Sequence, residues 1–238
     1  IIAADLDISN KVSITAANNY VYVTIDEYDV NDDLILLVSE DQGNTFKEKI
    51  NLSNNADEGM AYDSKIIADK NRLFVVWDSY DDVNVQSNVL LKVSNNYGKT
   101  FGETISLSNG VYTGYSNVDH WDNDDSRISL SYPNLFVIWD NHVTTNDFED
   151  IHNVILREYN INDSSLSKPK VIAKDIGKHT EFEIVTNDQI VNLLYTDQKA
   201  KYTSEDSDDE IYQLFFKKIS VIDGNLEDAK ITKSSNLQ

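Results

Sequence analysis

The side chains best suited to chemistry in this 238-residue chain are carboxylates, and they come in runs. Asp26-Glu27-Tyr28-Asp29-Val30-Asn31-Asp32-Asp33, Asp78-Ser79-Tyr80-Asp81-Asp82, Asp119-His120-Trp121-Asp122-Asn123-Asp124-Asp125, Asp147-Phe148-Glu149-Asp150 and Glu205-Asp206-Ser207-Asp208-Asp209-Glu210 each crowd acids into one polar stretch. Hard cations want such oxygen-rich loops, and calcium takes about six to eight oxygens. Asp29, Asn31 and Asp33 in the first run, and Asp122, Asp124 and Asp125 in the third, are the local candidates for Ca2+. Neither has the glycine and distal glutamate of an EF-hand loop, and a solvated acidic face explains the same runs. His120, His142 and His152 fall in one third of the chain beside carboxylates, and imidazoles with carboxylates can hold zinc or copper. Tyr80, Tyr112, Tyr115 and Trp121 lie in the same polar stretches, where aromatic rings stack on sugars or on a protein partner. Paired carboxyls also cut glycosidic bonds, but among 41 acidic residues spacing alone singles out no pair.

Composition narrows the partners. Forty-one acidic residues against 20 basic ones give a formal charge of −21. Such a field repels nucleic acid and anionic lipid and attracts cations. The chain has no cysteine, which excludes disulfides, thiolate metal sites and a thiol nucleophile. No apolar run approaches the length of a membrane span. The expectation is an extracellular or cell-surface protein; the chain starts at Ile1, which fits a processed or trimmed product from which an export signal could have been lost.

The elements that must position these residues repeat. Arg72-Leu-Phe-Val-Val-Trp77-Asp78 and Asn134-Leu-Phe-Val-Ile-Trp139-Asp140 are nearly the same segment, Tyr20 to Asp26 fits the same slot, and Ile190 to Thr196 fits it more loosely. Each follows a tight turn and a shorter strand: Val12 to Ala16, Lys65 to Ala68, Arg127 to Ser131, and Phe182 to Val185. Third strands follow at Leu34 to Ser39, Val89 to Ser94, Val154 to Tyr159 and Tyr212 to Ile219. Fourth strands follow at Glu48 to Ser53, Thr104 to Ser108, Lys170 to Ala173 and Ala229 to Thr232. Four antiparallel strands recurring in this way are the signature of propeller blades. The reading is an all-β propeller domain, or a fragment of a larger propeller, with blades at 10–54, 62–109, 126–174 and 180–234 and with residues 1–9 as the outer strand of a preceding blade. The first two strands of each blade read as the most continuously apolar, hence buried on both faces. The acidic runs read as loops at one end of the blades.

Between the third and fourth strands, Ser39-Glu-Asp41-Gln-Gly43-Asn-Thr45-Phe46 recurs as Ser94-Asn-Asn96-Tyr-Gly98-Lys-Thr100-Phe101. The glycine supplies a positive φ, and the Asp or Asn oxygen accepts backbone N–H bonds within the turn. The two hydroxyls satisfy more backbone, and the Phe anchors the hairpin. This pattern resembles the Asp box of sialidase-like (BNR-repeat) propellers of secreted prokaryotic type, closely over the first two blades and as far as Trp139-Asp140 in the third. Decayed copies stand at Tyr159 to Asp163 and Ser220 to Asn225. The resemblance implies a propeller fold. Sialidases are further marked by an arginine triad, a Tyr nucleophile with a Glu partner, and an Asp acid/base. This chain has only Arg72, Arg127 and Arg157, placed on different strands, and of these only Arg127 is expected to look into an axial cleft. The expected function is therefore a non-catalytic extracellular binding module whose acidic face takes cations, glycans or a partner protein. The alternatives are a glycoside hydrolase of sialidase-like fold without the arginine triad, and a structural part of a surface assembly.

Overall fold

The computed structural model describes residues 11–27, 32–53, 59–81, 86–111, 118–145, 150–176, 181–188, 190–201, 210–222, 225–228 and 232–233. Seventeen strands run through them: β1 (Val12–Ala17), β2 (Tyr20–Glu27), β3 (Asp33–Ser39), β4 (Ile50–Asn51), β5 (Met60–Asp69), β6 (Arg72–Asp81), β7 (Gln86–Ser94), β8 (Ile105–Ser106), β9 (Val118–Ser131), β10 (Asn134–Thr145), β11 (Asp150–Asn160), β12 (Lys170–Ile176), β13 (Phe182–Asn187), β14 (Ile190–Lys201), β15 (Glu210–Ile222), β16 (Asn225–Asp228) and β17 (Thr232–Lys233). They form four sheets in the orders β1-β2-β3-β4, β5-β6-β7-β8, β9-β10-β11-β12 and β13-β14-β15-β16, with β17 also on β15. Neighbours in each sheet are antiparallel and consecutive in sequence, so each sheet is one propeller blade, and the all-β propeller reading holds. The chain divides into two compact units: residues 1–111 with 122–126, and residues 112–121 with 127–238.

Each unit has its own core. In the first, Tyr22, Leu34, Leu36, Val38 and Leu52 of blade 1 pack on Ala61, Ile66, Leu73, Val75 and Trp77 of blade 2. In the second, Phe136, Ile138, Val154, Leu156 and Ile172 of blade 3 pack on Ile184, Val191, Leu193, Tyr195 and Phe215 of blade 4. The recurring Trp77 and Trp139 are almost wholly buried, as packing residues at blade spacing should be.

Three details differ from the sequence reading. The second and third strands carry the burial, while β1 alternates and leaves Val12 and Ile14 exposed. The first strands β5 and β13 are edges as well, but Ile66 and Ile184, in the slot of Ile14, are buried against the blade before them. The supposed loops around Asp78, Asp122 to Asp125, His142 and His152 lie within β6, β9, β10 and β11. Polar residues sit there in ladder positions because the hairpins continue past the apolar layer. In blade 4 the described residues form β16 and β17 on either side of the expected strand at 229–232, of which 229–231 lie outside the described residues. Residues 1–9 and the end of the last decayed box lie outside the described residues.

The turn between third and fourth strands is built as its sequence implies. Ser39 Oγ donates to Asp41 Oδ1 at 2.7 Å and accepts from the Gly43 N–H at 2.8 Å. Thr45 donates to Asp41 through its backbone (2.8 Å) and its hydroxyl (2.6 Å). Ser94, Asn96, Gly98 and Thr100 repeat the set, with the Asn96 amide donating to Thr100 Oγ1. Gln42 and Gly43, and Tyr97 and Gly98, take positive φ. Phe46 and Phe101 pack beneath, each on its own apolar cluster. The Leu-Ser-Asn sequence of the fourth strand is equally legible. Leu52 and Leu107 are buried, and Ser53 and Ser108 accept the backbone N–H of Leu34 and Val89 at 3.0 and 3.1 Å.

Candidate functional site

At the end of the first unit opposite these turns, the second strand of each blade finishes on an aspartate. Asp26 and Asp78 are both wholly buried. Each holds the start of the following blade. Ser64 Oγ donates to Asp26 Oδ1 at 2.7 Å, and the Ser126 N–H donates to Asp78 Oδ2 at 3.3 Å. The gripped segments share a four-residue pattern, Asp63-Ser64-Lys65-Ile66 and Asp125-Ser126-Arg127-Ile128. In both, the leading aspartate has φ near 54° although it lies within a strand. On β5 this is a bulge, with the register slipping between Tyr62 and Lys65. A bulge turns one side chain out of its alternating course, so the clasp fastens two blades and re-aims Asp63.

Around Asp78 the acids converge. Asp63 and Asp124 lie close enough to raise its proton affinity, but burial is the larger cause, and together they push its carboxyl well above the ordinary range. Its Oδ1 is buried and has no protein partner among the described residues. Burial also raises Asp26, where the Ser64 hydroxyl pulls the other way. Lys11 forms an ion pair with Asp63. Asp122 Oδ1 accepts from the Ser87 N–H at 3.0 Å, and the Tyr62 hydroxyl donates to Ser87 Oγ at 3.1 Å. Desolvation pushes the Tyr62 phenol upward, with Asp78, Asp124 and Asp122 adding to it. Asp122 and Asp124 are half-buried and Asp125 is exposed. The arrangement is a buried acid whose burial favours its proton, beside the nearly buried Asp63 and the half-buried Asp122 and Asp124, and carboxyls in contrasting surroundings are what acid/base chemistry requires.

The structure brings only some of the sequence candidates together. Asp122, Asp124 and Asp125 share this end of the first unit with Asp63 and Asp78. Asp33 is engaged elsewhere, accepting from Asn51 Nδ2 and Ser53 Oγ at 2.7 and 2.9 Å. Tyr80 pairs with Met60 at the last rung between β5 and β6, beside Gly59. Asp29, Asn31, Tyr112 and Tyr115 lie outside the described residues, as do the side chains of His120 and Trp121. Among the described residues no three His, Cys, Asp or Glu side chains form a group able to hold a metal ion.

In the second unit, His142 and His152 face each other across β10 and β11, their rings parallel and 4.5 Å apart. His152 Nδ1 meets Asp140 Oδ2 at 2.5 Å. Asp140 occupies the slot of Asp26 and Asp78, but the serine's slot in the next blade holds Phe182, and Asp140 meets His152 of its own blade. Arg127, expected to look into a cleft, has its fork on Glu183 at 3.3 Å and Glu181 at 3.9 Å, over the Phe182 ring.

The sequence reading missed Asp63, Tyr62 and the serine clasp. A signal was present: Asp-Ser-Lys/Arg-Ile occurs once before each of two Trp-Asp strands. Its meaning depends on which aspartate reaches across the blade boundary, and spacing does not show that.

No family model matches the chain, and no curated protein matches it. Solved structures do. An α-L-arabinofuranosidase of Fusarium graminearum matches with a TM-score of 0.62 at 12% identity, over 93% of this chain and 65% of that one. A thermostable family-43 glycoside hydrolase matches at 0.53 and 11% identity, over 96% and 75%. A polysaccharide lyase, an ulvan lyase, matches at 0.59 and 12%, over 95% and 58%. At such identity the shared feature is the fold, a β-propeller. The proteins named are enzymes acting on glycans, and this likeness tells against the expectation of a non-catalytic binding module. That expectation rested on the lack of an arginine triad, which bears only on sialic acid chemistry.

Proposed function

We propose that the chain is a glycoside hydrolase whose reacting carboxyls are Asp63 and Asp124. The observation that carries this reading is the buried Asp78 carboxyl, pushed well above its ordinary range with Asp63 and Asp124 beside it. Glycosidic cleavage needs one carboxyl to protonate the leaving oxygen and a second to act as base or nucleophile. The burial that raises the proton affinity of Asp78 disfavours a third negative charge beside the pair. Lys11, ion-paired to Asp63, differentiates the two reacting groups. Tyr62, with its phenol fixed on Ser87, supplies an aromatic wall for a sugar ring. The arabinofuranosidase and family-43 neighbours suggest pentose-containing glycans as the first substrates to try.

The two hydrogen-bonded box turns support a place among Asp-box propellers, with the sialidase label limited to architecture. Secretion fits the acidic surface and the kinship with glycan-cleaving enzymes. No helix of the described residues is long and apolar enough to cross a membrane. The test is hydrolysis of a panel of aryl glycosides and plant polysaccharides by the wild-type chain, D63N and D124N. Turnover by the wild type that both substitutions abolish supports the reading. Wild-type inactivity across the panel, or activity that survives both changes in folded protein, counts against it.

A further inference from the structure

One face of blade 4 is open at positions that every other blade buries. The pairing register makes the equivalence explicit. Leu194 faces Phe216 as Thr24 faces Leu36, Val76 faces Leu91 and Ile138 faces Leu156. None of the last six is more than 1% exposed. Leu194 is 41% and Phe216 40% exposed, and Val185, on the same face of β13, is 62% exposed. The opposite face, with Val191, Leu193, Tyr195 and Phe215, is packed on blade 3. Blade 1 is exposed only along β1, since Val23, Ile25, Ile35 and Leu37 on the same face are buried. Ile14 pairs with Val23 as Ile66 does with Val75 and Ile184 with Leu193. Yet Ile14 is 70% exposed where Ile66 is 5% and Ile184 is 9%.

We propose that the open face of blade 4 is a docking surface for a further blade of this same repeat, carried by a longer form of the polypeptide. Three observations select that occupant. In the second unit, the residues equivalent to Leu194 and Phe216, namely Ile138 and Leu156, are covered by the first strands of a following blade. A repeat that ends a stacked array needs a polar outer face, and Val185, Leu194 and Phe216 do not make one. A second copy of this chain is disfavoured because each copy carries a net charge of −21, which opposes self-association. The propellers that share the fold are also longer, this chain covering 75% of one and 65% of another.

The chain has no native cysteine, so F216C gives a single reporter thiol. Tyr132, 58% exposed, supplies the reference variant Y132C. In the 238-residue chain, sedimentation is expected to show a monomer, with F216C labelling at a rate close to that of Y132C. In the polypeptide recovered from its producing cells with an antibody to this chain, hydroxyl-radical oxidation of Leu194 and Phe216 is expected to be slower by about tenfold or more. A dimer that F216D dissolves makes a second copy the occupant and overturns the proposal. So does a monomer in which the F216C thiol is already protected, or equal oxidation in the cell-derived polypeptide. None of these results depends on whether the protein cleaves glycans.

Discussion

The two ends of the blades in the first unit treat the same side chain in opposite ways. Asp41, in the turn after β3, accepts hydrogen bonds from both groups of Thr45 and from Ser39, and its carboxyl is pulled down to about 2. Asp78, at the far end of β6, is wholly buried with other acids beside it and is pushed well above the ordinary range. Asp41 recurs at blade spacing as Asn96, and Asp78 recurs as Asp26 and Asp140. What separates them is solvation. Donors aimed at an exposed carboxylate favour its charge, while burial without enough donors favours the proton. A satisfied aspartate serves as a fastener, and a desolvated one can serve proton chemistry.

The largest effect expected is on turnover. D63N and D124N are each predicted to lower kcat/KM on a cleaved glycoside on the order of a thousandfold, with little change in melting temperature. A loss of similar size in D41N would break the contrast between the ends. G98A comes next. Gly98 has φ of +75°, and a Cβ there would lie 3.3 Å from Leu73 Cδ2 and 3.4 Å from Tyr22 Cε1. Strain and overpacking together should cost about 2 to 3 kcal/mol in urea unfolding.

D78N tests the other end by its pH dependence. Because the fold raises this pKa, folded protein holds the proton after the unfolded chain has released it near 3.8. Stability is therefore lost as pH rises from about 4 toward the folded value. D78N removes that loss, so its melting temperature should match wild type near pH 3 and exceed it at pH 8. A variant that melts lower at pH 8 would show that the charged carboxylate is wanted there. The smallest effect belongs to D41N, which gives the first turn the chemistry Asn96 already provides in the second. The fold lowers the Asp41 pKa, so its contribution is present above about 3.8 and fades as pH falls toward about 2. D41N should be nearly silent at neutral pH and should flatten melting curves between pH 4 and 2.

The turns were readable because they are local. Ser39, Asp41, Gly43 and Thr45 bond to one another within seven residues, so their types and spacing contain the answer. The site was not, since Asp78 becomes a buried acid only when Ser126, 48 residues on, lies against it. The acidic runs were visible as runs, but the sequence reading took them for solvated loops. Strands continue through the described parts of them, and the ladder carries Asp78 and Asp122 to Asp124 into or toward the interior.

By itself the sequence determined the blade repeat, the fastening turns and the packing tryptophans, because period, turn chemistry and apolar residue type are properties of short segments. Only the tertiary structure decided which acids lose their water. Desolvation is set by what a neighbouring blade places over a side chain. The same logic separates Leu36, sealed by the next blade, from its counterpart Phe216, which still faces solvent.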